Sequence, residues 1–311
     1  HLSNITQNSI SFSELQNFVI AGNTIENVNA SAIAIIDVSN GKVYKNKIVN
    51  AGGNGIYIYQ ATKIRVYKNI ISDNKYPSLA ILKDTVAHVF SNVLSNIAFS
   101  GVCVRGARYV KFEKSQISNA GECGISISDT KKCVISNNTF TNCKITAIES
   151  YNSSNVIAES NILDTMQYGF LSYAKGYIEA YRNQLKDTIP TLAKLTCKGN
   201  GFFHDNDNHC KDQKIGDTAG TYVFENNTGF TGITNISDRV NDNVVYETPF
   251  VDQNPNACLK CHEKTRNTYL LDCGHMVYCK ECATQALNNG ETCPLCRFAI
   301  ASVAPASTSG D

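Results

Sequence analysis

Eight side chains near the C-terminal end are of the kinds that grip a metal ion: Cys258, Cys261, Cys273, His275, Cys279, Cys282, Cys293 and Cys296. The gaps between successive members are 2, 11, 1, 3, 2, 10 and 2 residues. A Cys-x-x-Cys pair sets two thiolates on one tight knuckle, within reach of a single tetrahedral Zn²⁺, and eight ligands make two closed four-ligand sites. A closed site has no open position for water or substrate, so its role is structural rather than hydrolytic. Spacing alone leaves two groupings open: two sequential fingers, or two sites whose ligand pairs cross. The segment has few large apolar residues, so the metals are expected to supply its folding energy, on the order of 10 kcal/mol per site.

The ligand order resembles the C3HC4 RING family, and the run LLDCGHMVYCKECA followed by CPLCR is similar to the C-terminal RINGs of inhibitor-of-apoptosis proteins. The resemblance implies the crossed grouping. Cys258, Cys261, Cys279 and Cys282 would hold one Zn²⁺, and Cys273, His275, Cys293 and Cys296 a second. It also implies a RING-type E3 ubiquitin-protein ligase, which docks a ubiquitin-charged E2 enzyme and holds the thioester in a reactive pose by proximity and orientation. Leu259, Lys260, Leu287, Pro294 and Leu295 would then form the E2 groove. Arg297 would be the linchpin whose several donors bridge E2 and ubiquitin carbonyls. The chain departs from the family at Lys260, where RINGs usually carry an aliphatic residue, and in a longer sixth-to-seventh gap. The other function class is a non-catalytic scaffold whose RING dimerises or recruits partners. Phe298, Ile300 and Val303 alternate with small residues, as in RINGs whose tail packs across a homodimer.

The rest of the chain must position a substrate for such a module, and it is built on a repeat. An Asn followed two positions later by a large apolar residue occurs at Asn23, Asn46, Asn69, Asn92, Asn138, Asn161 and Asn183, with Ser115 filling the one gap. Six steps are 23 residues and the last is 22. Three positions before each anchor stand Ile20, Val43, Val66, Val89, Phe112, Ile135, Ala158 and Ala180; ten after it stand Ile33, Ile56, Leu79, Val102, Ile125, Ile148 and Leu171. Within a repeat, apolar residues alternate with polar ones, which is strand period. Stacked coils of short strands pair each backbone group with the coil above or below and bury a continuous column that a single coil cannot. Small residues near mid-repeat (Gly55, Gly101, Gly124, Gly169) suit tight corners. The Asn is expected to take a left-handed turn and to hydrogen-bond its equivalents along the stack.

This stretch resembles the right-handed parallel β-helix family, which includes pectate lyases, periplasmic copper-site chaperones and the β-helical substrate domains of some F-box proteins. The expected fold is mainly β. A right-handed parallel β-helix solenoid of 23-residue coils occupies 1–248 (regular over about 10–210, an irregular cap over 211–248), a linker spans 249–257, and a small zinc-stabilised RING with its tail occupies 258–311.

Polysaccharide-cleaving β-helices need clustered carboxylates with a nearby cation on one face. The column fourteen after the anchor reads Asp37, Gln60, Lys83, Gly106, Asp129, Asn152 and Lys175, with no carboxylates on adjacent coils. Two outward columns are apolar, Tyr44, Tyr67 and Phe90, and Ile36, Tyr59 and Leu82; they either stabilise the stack or form a substrate surface. Cys197, His204, His209 and Cys210 are metal-ligand types at irregular spacing and read as polar residues closing the stack. Cys103, Cys123, Cys133 and Cys143 read as small buried hydrophobes. With 28 basic and 27 acidic residues, a net charge of +1 and no long charge run, neither nucleic acid nor membrane is an expected partner. The expected partners are an E2, ubiquitin and a protein substrate. Paired cysteine spacing and the lack of a secretory pattern suggest the cytoplasm, with the nucleus also open. The chain starts at His1 rather than Met, which leaves open what precedes it.

Overall fold

The structure, a computed structural model, describes residues 1–153, 155–186, 189, 191–196, 200–204, 206–208, 214–216, 222–225, 257–261, 263–270, 275–291, 300 and 302–305. The chain divides into two units, His1–Asp242 and Asn243–Asp311, each with its own apolar core. Among the described residues, no helix is long and apolar enough to cross a membrane.

The first unit is a right-handed β-solenoid of three ten-stranded sheets, paired in parallel throughout. The first sheet holds the strands that follow the anchors, such as Thr24–Val28, Lys47–Ala51 and Ile70–Ser72. The second holds Ile33–Ile36, Ile56–Tyr59, Leu79–Leu82 and their equivalents, and the third Ser39–Tyr44, Thr62–Tyr67, Val86–Phe90 and theirs. Pairing continues at Lys214–Gly216 and Tyr222–Glu225, within the stretch 211–248 that the sequence suggests as a cap. The rest of that stretch lies outside the described residues.

The anchor Asn side chains hydrogen-bond one another from coil to coil. The Asn46 amide donates from Nδ2 to Asn69 Oδ1 (3.0 Å) and to the Ile20 carbonyl (3.0 Å). Its Oδ1 accepts from the Asn23 backbone N–H (3.0 Å) and from Asn23 Nδ2 (2.9 Å). Asn69 and Asn161 repeat the same four bonds. An Asn amide has two donor hydrogens and two acceptor lone pairs, so the rung leaves nothing unsatisfied. At Ser115 the hydroxyl still accepts from the Asn92 N–H (3.1 Å), but Asn92 Nδ2 turns to the Phe90 carbonyl instead (3.1 Å).

The left-handed backbone falls one residue earlier than the sequence suggests. The anchors keep negative φ, whereas Gly22, Lys45, Lys68, Ser91, Lys114, Asn137, Ser160 and Arg182 have φ of 53° to 68°. Such a conformation costs a non-glycine residue roughly 1–2 kcal/mol, and the buried Asn that follows holds it in place. Two more corners behave alike: Asn27, Asn50, Asp73, Asn96, Asn119 and Asn142 at 54° to 60°, and Asp37, Gln60, Lys83, Gly106, Asp129 and Asn152 at 39° to 59°. The first of these carries an exposed amide ladder, with Asn50 donating to Asn27, and Asn119 to Asn96, at 2.8 Å.

Both interior columns are buried, with one exception. Phe170 pairs with Ile148 and is fully buried, while Leu171 pairs with Glu149 and faces outward. The coil between Asn161 and Asn183 is one residue short, and a one-residue slip moves a strand's side chains to the opposite face. Mid-repeat glycines answer to close approach: a Cβ on Gly124 would sit 2.5 Å from the Phe140 ring and 2.7 Å from the Ala147 carbonyl oxygen.

Replacing Asn69 by Ala strands the Asn46 N–H, the Asn46 amide and the Val43 carbonyl. It is expected to cost about 3–5 kcal/mol in urea unfolding, against less than about 0.5 kcal/mol for Lys47→Ala on the surface. Ser115→Asn is expected to complete the ladder and add about 1 kcal/mol.

Candidate metal centre and surrounding surfaces

In the second unit, helix α1 (Lys280–Asn288) begins at Cys279, whose extended backbone (φ −72°, ψ 167°) serves as N-cap without a side-chain capping bond. Cys279 and Cys282 therefore stand at the start of the helix, where burial raises the Cys279 thiol against the lowering effect of the Cys282 N–H. The other knuckle, Cys258–Cys261, is pinned by Cys258 N–H to the Lys264 carbonyl (2.7 Å) and Leu259 N–H to the Val277 carbonyl (2.8 Å). The sulfurs of Cys258, Cys261, Cys279 and Cys282 all lie within 4.8 Å of one another. Tetrahedral Zn–S bonds of about 2.3 Å require edges of about 3.8 Å, so this set fits the ion. It is also the set that the crossed grouping brings together. All four are free thiols, with Cys258 and Cys279 buried.

Burial raises the Cys258 thiol, but N–H groups of Cys261, Cys279 and Lys260 and the Cys261 thiol outweigh it and bring the group down to about 6. Burial and then the neighbouring sulfurs push Cys282 upward.

Of the second predicted ligand set, Cys273, Cys293 and Cys296 lie outside the described residues, and His275 is described only as the start of strand His275–Tyr278. Pro294, Leu295 and Arg297 also lie outside them. Leu259 and Leu287 are half-buried and pack on the small core around Val277, Ala283 and Ala286. Lys260 Nζ makes an ion pair with Glu291 Oε1 at 2.7 Å, with side chains 29% and 34% exposed. Hydrogen bonds from Lys260 and then Asn289 hold the Glu291 carboxyl below its ordinary value. Nothing in the sequence singles out Glu291, because 31 residues separate it from Lys260. In the tail, Ile300 is buried in the small core, and Val303–Pro305 pairs antiparallel with Thr268–Leu270. Phe298 lies outside the described residues.

On the solenoid, Tyr44, Tyr67 and Phe90 stack outward on the third sheet, with centroids 4.9 and 4.7 Å apart and planes within 6°. The second apolar column is not an open surface: Tyr59 is 6% and Leu82 2% exposed, and only Ile36 is half-exposed. A side chain that points away from the interior can still be covered, here by the Tyr57 ring parallel to Tyr59 and by Lys83 over its face at 5.4 Å. The column fourteen after the anchor is a left-handed corner. On the second sheet Glu149 accepts from Ser126 Oγ (2.5 Å) and from the Tyr173 hydroxyl (2.9 Å). Burial, and then the charge of Glu149, keep the nearby Glu122 carboxyl raised, against a hydrogen bond from Ser100. Cys103, Cys123, Cys133 and Cys143 are buried free thiols, and burial lifts Cys133 and Cys143 to about 12. Cys197, His209 and Cys210 lie outside the described residues, and His204 is described only as part of strand Asn200–His204.

Known proteins divide along the same line. Residues 254–303 match the zinc finger of C3HC4 type (RING finger), and residues 1–105 and 91–185 match the right handed beta helix region. The human E3 ubiquitin-protein ligase NEURL3 is 41% identical over 49 residues, 16% of this chain and 19% of that protein. Its rat counterpart is 39% identical over 56 residues, covering 17% and 22%. The chain thus spans about a fifth of the length of these relatives. Among solved structures, the catalytic unit of a GH87 alpha-1,3-glucanase from Streptomyces thermodiastaticus superposes with a TM-score of 0.60 at 14% identity, covering 71% of this chain and 50% of that one. That likeness shows the fold alone. The C3HC4 match and the gathered thiols together indicate zinc binding. With matches running from residue 1 to residue 185 of 311, the chain belongs to the right-handed β-helix family and ends in a C3HC4-type RING finger.

Proposed function

We propose that this chain is a RING-type E3 ubiquitin-protein ligase whose β-helix recruits the substrate. The observation that carries the reading is the four-sulfur cluster inside the C3HC4-matched segment, supported by the similarity of that segment to the NEURL3 ligases. Zinc supplies folding energy when bound: Cys258, Cys261, Cys279 and Cys282 would hold one ion, and Cys273, His275, Cys293 and Cys296 the second. Leu259, Lys260, Leu287, Pro294 and Leu295 dock the charged E2. Arg297 bridges E2 and ubiquitin, so that a substrate amine meets an oriented thioester. The ligand thiols must stay reduced, which suits the cytoplasm or nucleus.

The scaffold alternative is favoured by one feature. Lys260 stands where an aliphatic residue is expected, and its ammonium is held by Glu291 beside the proposed E2 groove. Under that reading the RING recruits partners, or pairs two copies, without releasing ubiquitin.

Metal analysis of the purified chain is expected to give two zinc ions, and Cys258→Ser or Cys282→Ser to remove one or both. Chelation is expected to unfold the second unit while the strand signal of the solenoid persists, since only the RING folds on metal. A count of zero zinc overturns the proposal. Discharge of ubiquitin from a panel of charged E2 enzymes should rise above background, and Arg297→Ala should slow it about 10- to 100-fold, the worth of a charge-assisted pair of about 1.5–3 kcal/mol. Lys260→Ile should accelerate discharge. Background rates throughout the panel, unmoved by either substitution, would establish the scaffold.

A further inference from the structure

The outward face of the third sheet repeats one pattern over successive coils: Lys42-Val43-Tyr44-Lys45, Arg65-Val66-Tyr67-Lys68 and His88-Val89-Phe90-Ser91. In each, the Val is buried, the residues before and after it face outward, and the fourth turns the corner in the left-handed conformation. The strands pair in register, so Lys42, Arg65 and His88 form one column and Tyr44, Tyr67 and Phe90 the next. Lys42, Lys45, Arg65 and Lys68 are exposed, and none makes an ion pair among the described residues. The rings stack face to face, which covers both faces of Tyr67, and the edges of the stack carry the positive rim of the aromatic quadrupole.

One coil further on, the chain shows what this pattern holds. Glu113 pairs with Phe90 in the aromatic column, and its carboxylate meets His88 Nε2 at 2.7 Å and Lys111 Nζ at 2.8 Å. A carboxylate is thus held by the Lys111 ammonium of its own coil and by the His88 ring of the one before. Over the preceding coils the same cation column stands without its carboxylate. Later on the same face carboxylates enter both columns, Glu179 in that of Lys42 and Glu159 in that of Tyr44, where Arg182 lies 3.7 Å from it. Charge placed only for solubility would be mixed; over the coils of Lys42 and Arg65 the outward charges of this sheet, Lys42, Lys45, Arg65 and Lys68 among them, are all basic.

We propose that this face, from Lys42 to His88, docks an extended acidic peptide segment of a substrate protein. The word substrate rests on the ligase reading, while the docking does not. Two strand spacings of about 4.8 Å from Ser39–Tyr44 to Val86–Phe90 span about 10 Å, the length of about three extended residues. Charge complementarity selects the occupant. Nucleic acid is disfavoured because neither face of Tyr67 offers a base a platform, Glu113 would oppose the phosphates, and a net charge of +1 supplies no long-range field.

The test is fluorescence anisotropy of the full chain with a fluorescein-labelled hexaglutamate peptide, alongside hexalysine and oligo-dT probes. The acidic probe should bind and weaken several-fold between 50 and 200 mM salt. Arg65→Glu should weaken it at least tenfold and Tyr67→Ser several-fold. Lys132→Glu, the same charge change at an exposed lysine outside the repeated pattern, should leave it unchanged. Equal weakening by Arg65→Glu and Lys132→Glu, or tighter binding of oligo-dT, would overturn the proposal. So would an Arg65-dependent dimer in light scattering, which would make a second copy the occupant. E2 discharge in the same preparations separates the two ideas. Discharge without peptide binding sinks the docking face alone, and peptide binding without discharge sinks the ligase alone.

Discussion

The solenoid depends on a column of carboxamides that cannot be made by any one coil. Asn46, Asn69 and Asn161 each spend two hydrogens on the next coil's oxygen and on a carbonyl of the preceding coil, and receive two donors in return. The residue before each anchor sits in a backbone region unfavourable to Lys, Ser or Arg. The column and the corner are therefore mutually supporting. The coil between Asn161 and Asn183 shows which element sets the length: it loses one residue, yet its rungs remain at 2.9 and 3.0 Å. The missing residue is absorbed before Tyr168, and the interior position passes from Leu171 to Phe170. Fixed corners make the apolar columns line up, and the columns then exclude water from the ladder, where unpaired amides would be costly.

This explains what could be read in the sequence. A period of 23, an anchor and two inward columns are local and repetitive, so residues such as Ile20, Val43 and Val66 declare themselves. The left-handed role was legible at its chemistry but not its place, because a short amide is suited both to positive φ and to a hydrogen-bonded rung, and only the backbone distinguishes them. Outwardness was legible at Tyr59 and Leu82, whereas exposure was not, since what lies over a sheet is not written in that sheet's own alternation. The basic face was hidden from a charge count. Its members stand 23 residues apart, and acidic residues elsewhere cancel them.

The second unit follows a different economy of interactions. Its described core is small, drawing on Leu270, Val277, Ala283, Ala286 and Ile300, with two cysteines buried among them. Spacing allowed two groupings of the ligands. Geometry selects one for the first set, because the start of α1 delivers Cys279 and Cys282 to the Cys258–Cys261 knuckle. The Lys260–Glu291 pair and the tail strand Val303–Pro305 escaped sequence reasoning for one reason: both join segments far apart in the chain, with no periodicity to betray them.

A ladder that fixes the interior leaves the outward faces free. Any outward residue is compatible with the same coil, so a run of Lys, Arg and His in one column, followed by Glu later in it, is not demanded by folding. Nor does the stacking of Tyr44, Tyr67 and Phe90 on one another require Lys42 or Arg65 beside it. What such a face can supply is modest, because exposed charge pairs are individually weak and screened by salt. Weak capture suffices where the capturing face and a transfer module are covalently joined, because the tether turns the second encounter into an intramolecular one at high effective concentration. On the ligase reading, a shallow electrostatic face is thus better matched to its task than a deep pocket: it holds a substrate long enough for transfer and releases it afterwards.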